Sequence, residues 1–370
     1  MTATMTRPKR AKANGVTVTR AALKAALDTV SDAVPGKTPK PILNYVLLDG
    51  GMLSATDLEL RITTPLPGSD GLTVLLPFAR LKAIVSNLHP TVEVTIAVEG
   101  SSAVIQASGG TWRLPVEDAA EYPRGGDFSG ARLPRLPGDQ FSALVKTVKE
   151  ATDNESSRYA LGGVQIEFSD GELTFIATDG RRLYAASADI DQALDDSQTL
   201  VTRRTINVLQ KLAVHADEIE LQASTTEILA TIGETTVQAR LLDGKFPRWR
   251  DVDVNYEDPP SMVLVENLIR ACNAADVCTS EASRGVDFTF TKEGLFLSGR
   301  SSENGESSAT CDLADVGKCT TVKLDPAFVS DWLVTLDPAE TIAIEAKDKA
   351  SAVVFRADRC RAVVMPLDPS

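Results

Sequence analysis

Three aspartates, Asp57, Asp179 and Asp243, are the best raw material in this chain for acid–base or metal chemistry. Each lies beside a turn, and they fall on different positions of an internal repeat, so no two carboxylates are set to share a proton or a metal. The two histidines, His89 and His215, each follow an apolar run at the expected end of a helix. An imidazolium there complements the helix dipole, which leaves little histidine for catalysis or metal binding. The five cysteines (Cys272, Cys278, Cys311, Cys319, Cys360) all fall in the last third, and none has CxxC spacing. An odd count argues for reduced, mostly packed thiols. No catalytic residue, metal or cofactor is expected. The chain does not read as an enzyme.

The other chemistry-bearing set is cationic. Arg20 and Lys24 lie on the first helix-like segment, with Lys37 and Lys40 in the loop after it, and Arg80 and Lys82 on the next. Lys146 and Lys149, then Arg203, Arg204 and Lys211, lie on the third and fourth. The net charge is −13, which taken whole argues against a simple nucleic-acid binder. Acids, however, concentrate in strands, turns and linkers. If the helices share a face, that face is basic on an acidic molecule and could contact phosphates without reading sequence. Ordinary solvated helix faces give the same pattern. The last third fits least, because its helices bring Arg270 but also Glu266, Asp276, Asp325, Asp331 and Asp337.

The elements that position these residues repeat. Helical spacing of apolar residues begins at Arg20, Gln140 and Val265, about 120 to 125 residues apart. After each comes a pair of alternating, strand-like runs joined at a glycine turn, with Gly51, Gly171 and Gly294 keeping the same period. Each third then repeats the theme, with helices at 77–88, 204–213 and 326–336 and further hairpins after them. The thirds close similarly, on Glu121-Tyr-Pro, Lys245-Phe-Pro and Val364-Met-Pro. Proline-rich seams at 132–138 and 256–260 suit linkers. Six helix-plus-strands units in three domains are expected: 15–132, 133–256 and 257–370. Three tandem domains without special assembly would show the same pattern.

With 370 residues, each third is long enough for its own core. The basic N-terminus (Arg7, Lys9, Arg10, Lys12) is not followed by the apolar stretch of a signal peptide. Residues 1–14 are expected to be a flexible basic tail. No apolar run reaches membrane-spanning length, so no membrane partner and a cytoplasmic location are expected.

Five stretches, in order and on this repeat, resemble the bacterial DNA polymerase III beta subunit (beta sliding clamp) family. They are SATDLEL at 54–60, RYALGGV at 158–164, ATDGRRL at 177–183, LDGKFPRWR at 242–250 and VVMPL at 363–367. The resemblance covers the whole length. It implies an α+β fold of three similar clamp domains, each with two helices packed on antiparallel sheets, closing head-to-tail as a homodimeric ring. It implies a processivity factor that encircles double-stranded DNA without sequence specificity. The expected partners are the replicative polymerase catalytic subunit, the clamp loader, and repair and translesion polymerases. A scaffold that never encircles DNA is the rival reading.

The resemblance also implies sites. A partner-peptide groove would be built from Leu161, Thr178, Gly180, Arg182, Leu183, Pro247, Val252, Val363, Met365, Pro366 and Leu367, apolar anchors with Arg182 fixing polar groups at the rim. DNA-facing positions would be Lys24, Lys37, Arg80, Lys82, Lys146, Lys149, Tyr159, Arg203, Arg204 and Lys211. The dimer interface would set Trp112 and Leu114 against Val277 and Cys278, although Trp112 also fits ordinary core packing. Departures from the family pattern are Arg181 for a common histidine, Asp251 for a common arginine, Glu155 and Ala160 at DNA positions, and the extension Asp368-Pro369-Ser370. The changes at the groove put partner preference in doubt.

Overall fold

The computed structural model describes residues 15–153, 160–280 and 284–367. Tyr159 and Glu155, the tail 1–14 and the extension 368–370 lie outside the described residues. Six helices occur among them: α1 (Arg20–Val30), α2 (Phe78–Ser86), α3 (Gly138–Val148), α4 (Arg203–Ala213), α5 (Val265–Asp276) and α6 (Pro326–Leu333). All six begin within two residues of the sequence expectation. Side-chain caps explain three of the starts. Thr19 accepts from Ala22 N (3.1 Å), Thr202 from Thr205 N (3.2 Å) and Asp325 from Ala327 N (3.0 Å), satisfying otherwise orphaned helix donors.

Around each helix the order is one strand, the helix, then three strands. The first unit of this kind runs through Gly15–Thr19, α1, Tyr45–Asp49, Met52–Thr56 and Leu60–Pro65. The opening strand does not join its own three. Gly15–Thr19 pairs with Glu93–Glu99 of the next unit, while Val74–Pro77, which opens that unit, returns to Tyr45–Asp49. The same exchange ties Leu136–Pro137 to Glu218–Ala223 and Ser197–Thr202 to Gly163–Ser169. It ties Ser261–Leu264 to Thr341–Glu345 and Thr320–Leu324 to Val286–Thr291. Neighbouring units are thus interlocked in pairs by backbone hydrogen bonds.

The chain forms two compact bodies. One holds the described residues up to Gly130 together with Glu227–Arg240, and the other Ala131–Thr226 with the residues from Leu241 onward. In the first, α1 packs on α2 and on the strands Met52–Thr56 and Leu60–Pro65, burying Leu23, Ala26, Leu27 and Val30. In the second, α3 packs on α4 and α5 on α6. Gly138 permits the first of these contacts, since a Cβ there would lie 2.1 Å from the carbonyl oxygen of Ala213. The second body also holds a continuous eight-stranded antiparallel sheet. Arg182–Asp189, from the middle third of the sequence, pairs there with Cys360–Val364 from the last.

Candidate functional site

Several of the residues expected to form the partner groove lie where those two strands meet. Leu183 sits opposite Val363, and both are buried in one cluster with Ala160, Phe246 and Trp249. Met365 N continues the ladder to Arg181 O at 2.8 Å. Among the other expected groove residues, Val252 is 43% and Met365 42% exposed, Pro247 is exposed and Leu161 half-buried. Pro366 and Leu367 are half-buried, and the Leu367 N–H donates to Lys323 O (2.8 Å). Of the expected groove residues, Leu183 and Val363 are thus buried, Val252, Met365 and Pro247 exposed, and Leu161 half-buried.

The turn at one end is held by its own side chains. Thr178 Oγ1 donates to Arg182 O (2.6 Å) and accepts from Gly180 N (3.1 Å). Asp179 Oδ1 accepts from the N–H groups of Arg181 (2.9 Å) and Arg182 (3.0 Å). Gly180 has φ +86° and open space where a side chain would point, so a ligand can approach its backbone. Asp179 is consumed by this turn, as Asp57 is by an equivalent one, and Asp243 is exposed elsewhere on the second body.

Arg182 corrects the sequence reading. Its side chain is only 11% exposed, and its donors are engaged inside the body. Nε pairs with Asp179 (3.1 Å), Nη1 with Asp331 (2.6 Å) and Tyr184 Oη (3.1 Å), and Nη2 with Glu150 O (2.5 Å). The guanidinium also stacks 4.4 Å from the Phe328 ring. Burial alone would lower its pKa, but Tyr184, Asp331 and Asp179 outweigh that and hold it above the ordinary value. Arg182 is a brace joining the middle and last thirds, not a rim group offered to a ligand.

The groove turn has a twin in the first body. Leu58 N donates to Thr56 Oγ1 (3.1 Å), Leu60 N to Asp57 Oδ1 (2.8 Å), and Arg240 N to Glu59 O (2.9 Å), matching the bonds at Gly180, Arg182 and Met365. Leu58 even holds φ +83° without being glycine. At the two floor positions, however, Arg61 faces Gln238 where Leu183 faces Val363. Arg61 donates to Pro123 O and burial lowers its pKa, while Gln238 is bonded to Glu227 (2.9 Å). This frame lacks an apolar floor.

The basic residues divide into two sets. Lys37, Arg80, Lys146, Arg204 and Lys211 are exposed. Lys24 and Lys82 are not loose cations, because both pair with Asp28, Lys82 at 3.0 Å. Arg203 pairs with Glu150 (2.7 Å) and bonds Thr152 (3.0 Å). Lys149 falls in a short 3-10 turn after α3 and donates to Gln210 (2.9 Å). Lys149, Arg203 and Lys211 line a shallow depression of about 480 Å³ beside Asn207 and Gln210. In the last third two acids are occupied, Asp325 in capping α6 and Asp331 in holding Arg182.

At the expected dimer positions Leu114 is a core residue, 6% exposed, and Trp112 is the half-buried ring of that strand. Gly110–Pro115 is an outer strand of its sheet, as is Gly305–Cys311 of its own. Val277 is 73% exposed just past α5, and Cys278 beside it is half-buried.

Comparison with known proteins places this architecture. Two family models match in order: the DNA polymerase III beta subunit N-terminal domain over residues 15–125, and its central domain over 135–248. The beta sliding clamps of Salmonella typhimurium and Escherichia coli K12 are each 26% identical over 363 residues, 95% of this chain and 99% of theirs. The sliding clamp of Pseudomonas aeruginosa solved bound to griselimycin matches with a TM-score of 0.90 at 24% identity, covering 96% of this chain and 100% of that one. The Bacillus subtilis clamp matches at 0.89 and 20%, covering 97% and 100%. The fold is that of the DNA polymerase sliding clamps. The chain belongs to the DNA polymerase III beta subunit family.

Proposed function

We propose that the protein is a DNA sliding clamp, the processivity factor of a replicative polymerase, which encircles duplex DNA and tethers partners through the groove. The observation that carries this is the end-to-end correspondence with beta sliding clamps, 95% of this chain against 99% of theirs, under two family models in the right order. The groove supports it. Open apolar anchors over a finished floor fit short extended peptides, bound by a few side chains and therefore exchangeable. Clamp loader, polymerase, and repair and translesion polymerases would share it in turn.

The finer reading takes three clamp domains, 15–132, 133–256 and 257–370, and two chains in a head-to-tail ring. An outer strand is a ready template for another chain. Gly110–Pro115 with Trp112 would therefore close against the end that bears Val277 and Cys278. Lys24, Lys37, Arg80, Lys82, Lys146, Lys149, Tyr159, Arg203, Arg204 and Lys211 would face the duplex. The protein would work in the cytoplasm and carry no chemistry of its own. Two measurements test this together. Solution mass should be that of two 39.5 kDa chains. Griselimycin should compete with a polymerase-derived peptide for one site per chain. A monomer, or a peptide that griselimycin does not displace, would count against it.

A further inference from the structure

Two carboxylates sit among the cations assigned to DNA. Asp28 on α1 takes Lys24 from its own helix and Lys82 from α2 (3.0 Å), so one acid holds two lysines across the helix pair. These pairs, Lys24 first, keep the Asp28 carboxyl below its ordinary pKa. In the second body Glu150 takes Arg203 at the start of α4 (2.7 Å). Glu150 is fixed from behind, its carbonyl oxygen accepting from Arg182 Nη2 (2.5 Å), so its carboxylate is delivered to Arg203 by the brace under the groove. By contrast, Arg80 and Lys146 are exposed with no carboxylate in ion-pair reach among the described residues.

We propose that Asp28 and Glu150 are resident substitutes for DNA phosphate, keeping Lys24, Lys82 and Arg203 paired within the protein so that the duplex is held loosely enough to slide. This rests on the clamp reading above. A free lysine or arginine that meets a phosphate releases a condensed counterion, and this release is the main drive for binding. A cation already paired gains a phosphate only by giving up its carboxylate, which must then recruit a cation from solution. The ion release cancels. Contacts with Lys24, Lys82 and Arg203 therefore exchange one anion for another at little net gain, which lowers the barrier between one register on the duplex and the next. Arg80 and Lys146 supply the net attraction.

The test is the salt dependence of binding to a short blunt-ended duplex that can thread the ring, followed by fluorescence anisotropy. Asp28→Asn should steepen the slope of log K against log salt by roughly 0.9 to 1.8, and Glu150→Gln by roughly 0.9, at about 0.9 per cation released to phosphate. Affinity at low salt should rise in each, and by more in Asp28→Asn where both lysines are released. Asp28→Glu, which keeps the charge, should behave as wild type, and Arg80→Gln should flatten the slope. Dimer mass and Tm are checked for every variant, and the Asp28 and Glu150 arms are independent should one fail to fold. Unchanged or weaker binding by well-folded Asp28→Asn and Glu150→Gln, with wild type binding normally, overturns the proposal alone. Wild type failing to bind duplex at all overturns the clamp reading and this proposal with it.

Discussion

Replacing Arg182 by alanine removes the group that ties Asp179 and Tyr184 to Asp331 and to the carbonyl of Glu150. Truncating one partner of a buried charge network costs about 3–5 kcal/mol, because the remaining groups stay buried without compensation. Asp331 is 44% exposed, so its share is discounted to the surface scale of about 1 kcal/mol or less. The low end, about 3 kcal/mol, is the expected loss. For a cooperative unit of roughly 220 residues this lowers Tm by roughly 6–12 °C. Scanning calorimetry reads it directly. Lysine should not rescue, since an ammonium cannot span these acceptors in the plane of a guanidinium. A variant that keeps its Tm within about 2 °C and loses only partner binding would refute the brace and return Arg182 to the rim.

The exposed groove residues should separate from the floor. Val252→Ala with Met365→Ala should abolish peptide binding with little change in Tm, whereas Leu183→Ala, a core position, should cost about 2–4 kcal/mol of stability. Asp325 caps α6 while burial raises its pKa, so its charged form is disfavoured in the fold. It contributes stability at pH below its unfolded pKa and loses that contribution as pH rises through the raised value. Asp325→Asn keeps the cap without the charge, so Tm at pH 7 should rise, and the difference should vanish in acid. Among the thiols, Cys272 and Cys311 are buried and pushed up by burial, Cys311 to about 11, whereas Cys319 is exposed. A thiol reagent at neutral pH should modify Cys319 first and Cys272 only on unfolding, as mass spectrometry of digests would show.

The helices were legible because each presents one apolar stripe with a polar back, as α1 does with Leu23, Ala26, Leu27 and Val30. The hairpins at Gly51 and Gly171 were legible because those glycines adopt the positive φ that tight turns require. The opening and third strands of each unit were not. Arg182–Asp189 is buried on both faces, so it shows no alternation to read. The strand exchange between units leaves no local signal at all. The expected groove positions came from the resemblance, and which of them are buried is set by long-range packing. Nothing in the sequence says that Arg182 turns inward to Asp331, 149 residues away, or that Leu114 is core while Trp112 is half-buried. The pairing of Lys24 and Lys82 with Asp28 was hidden for the same reason, since Lys82 reaches it from another helix.

Topological linkage to DNA is the most direct test of the central claim. The protein is loaded on a nicked circular plasmid with a clamp loader, freed of unbound protein by gel filtration, and then challenged with a single-cutting restriction enzyme. A clamp stays with the circle through the column and is lost within minutes once the DNA has ends. Protein that leaves the intact circle as fast as the linear form, or stays on both, is not encircling the duplex, and the account of its helices, cations and groove fails with it.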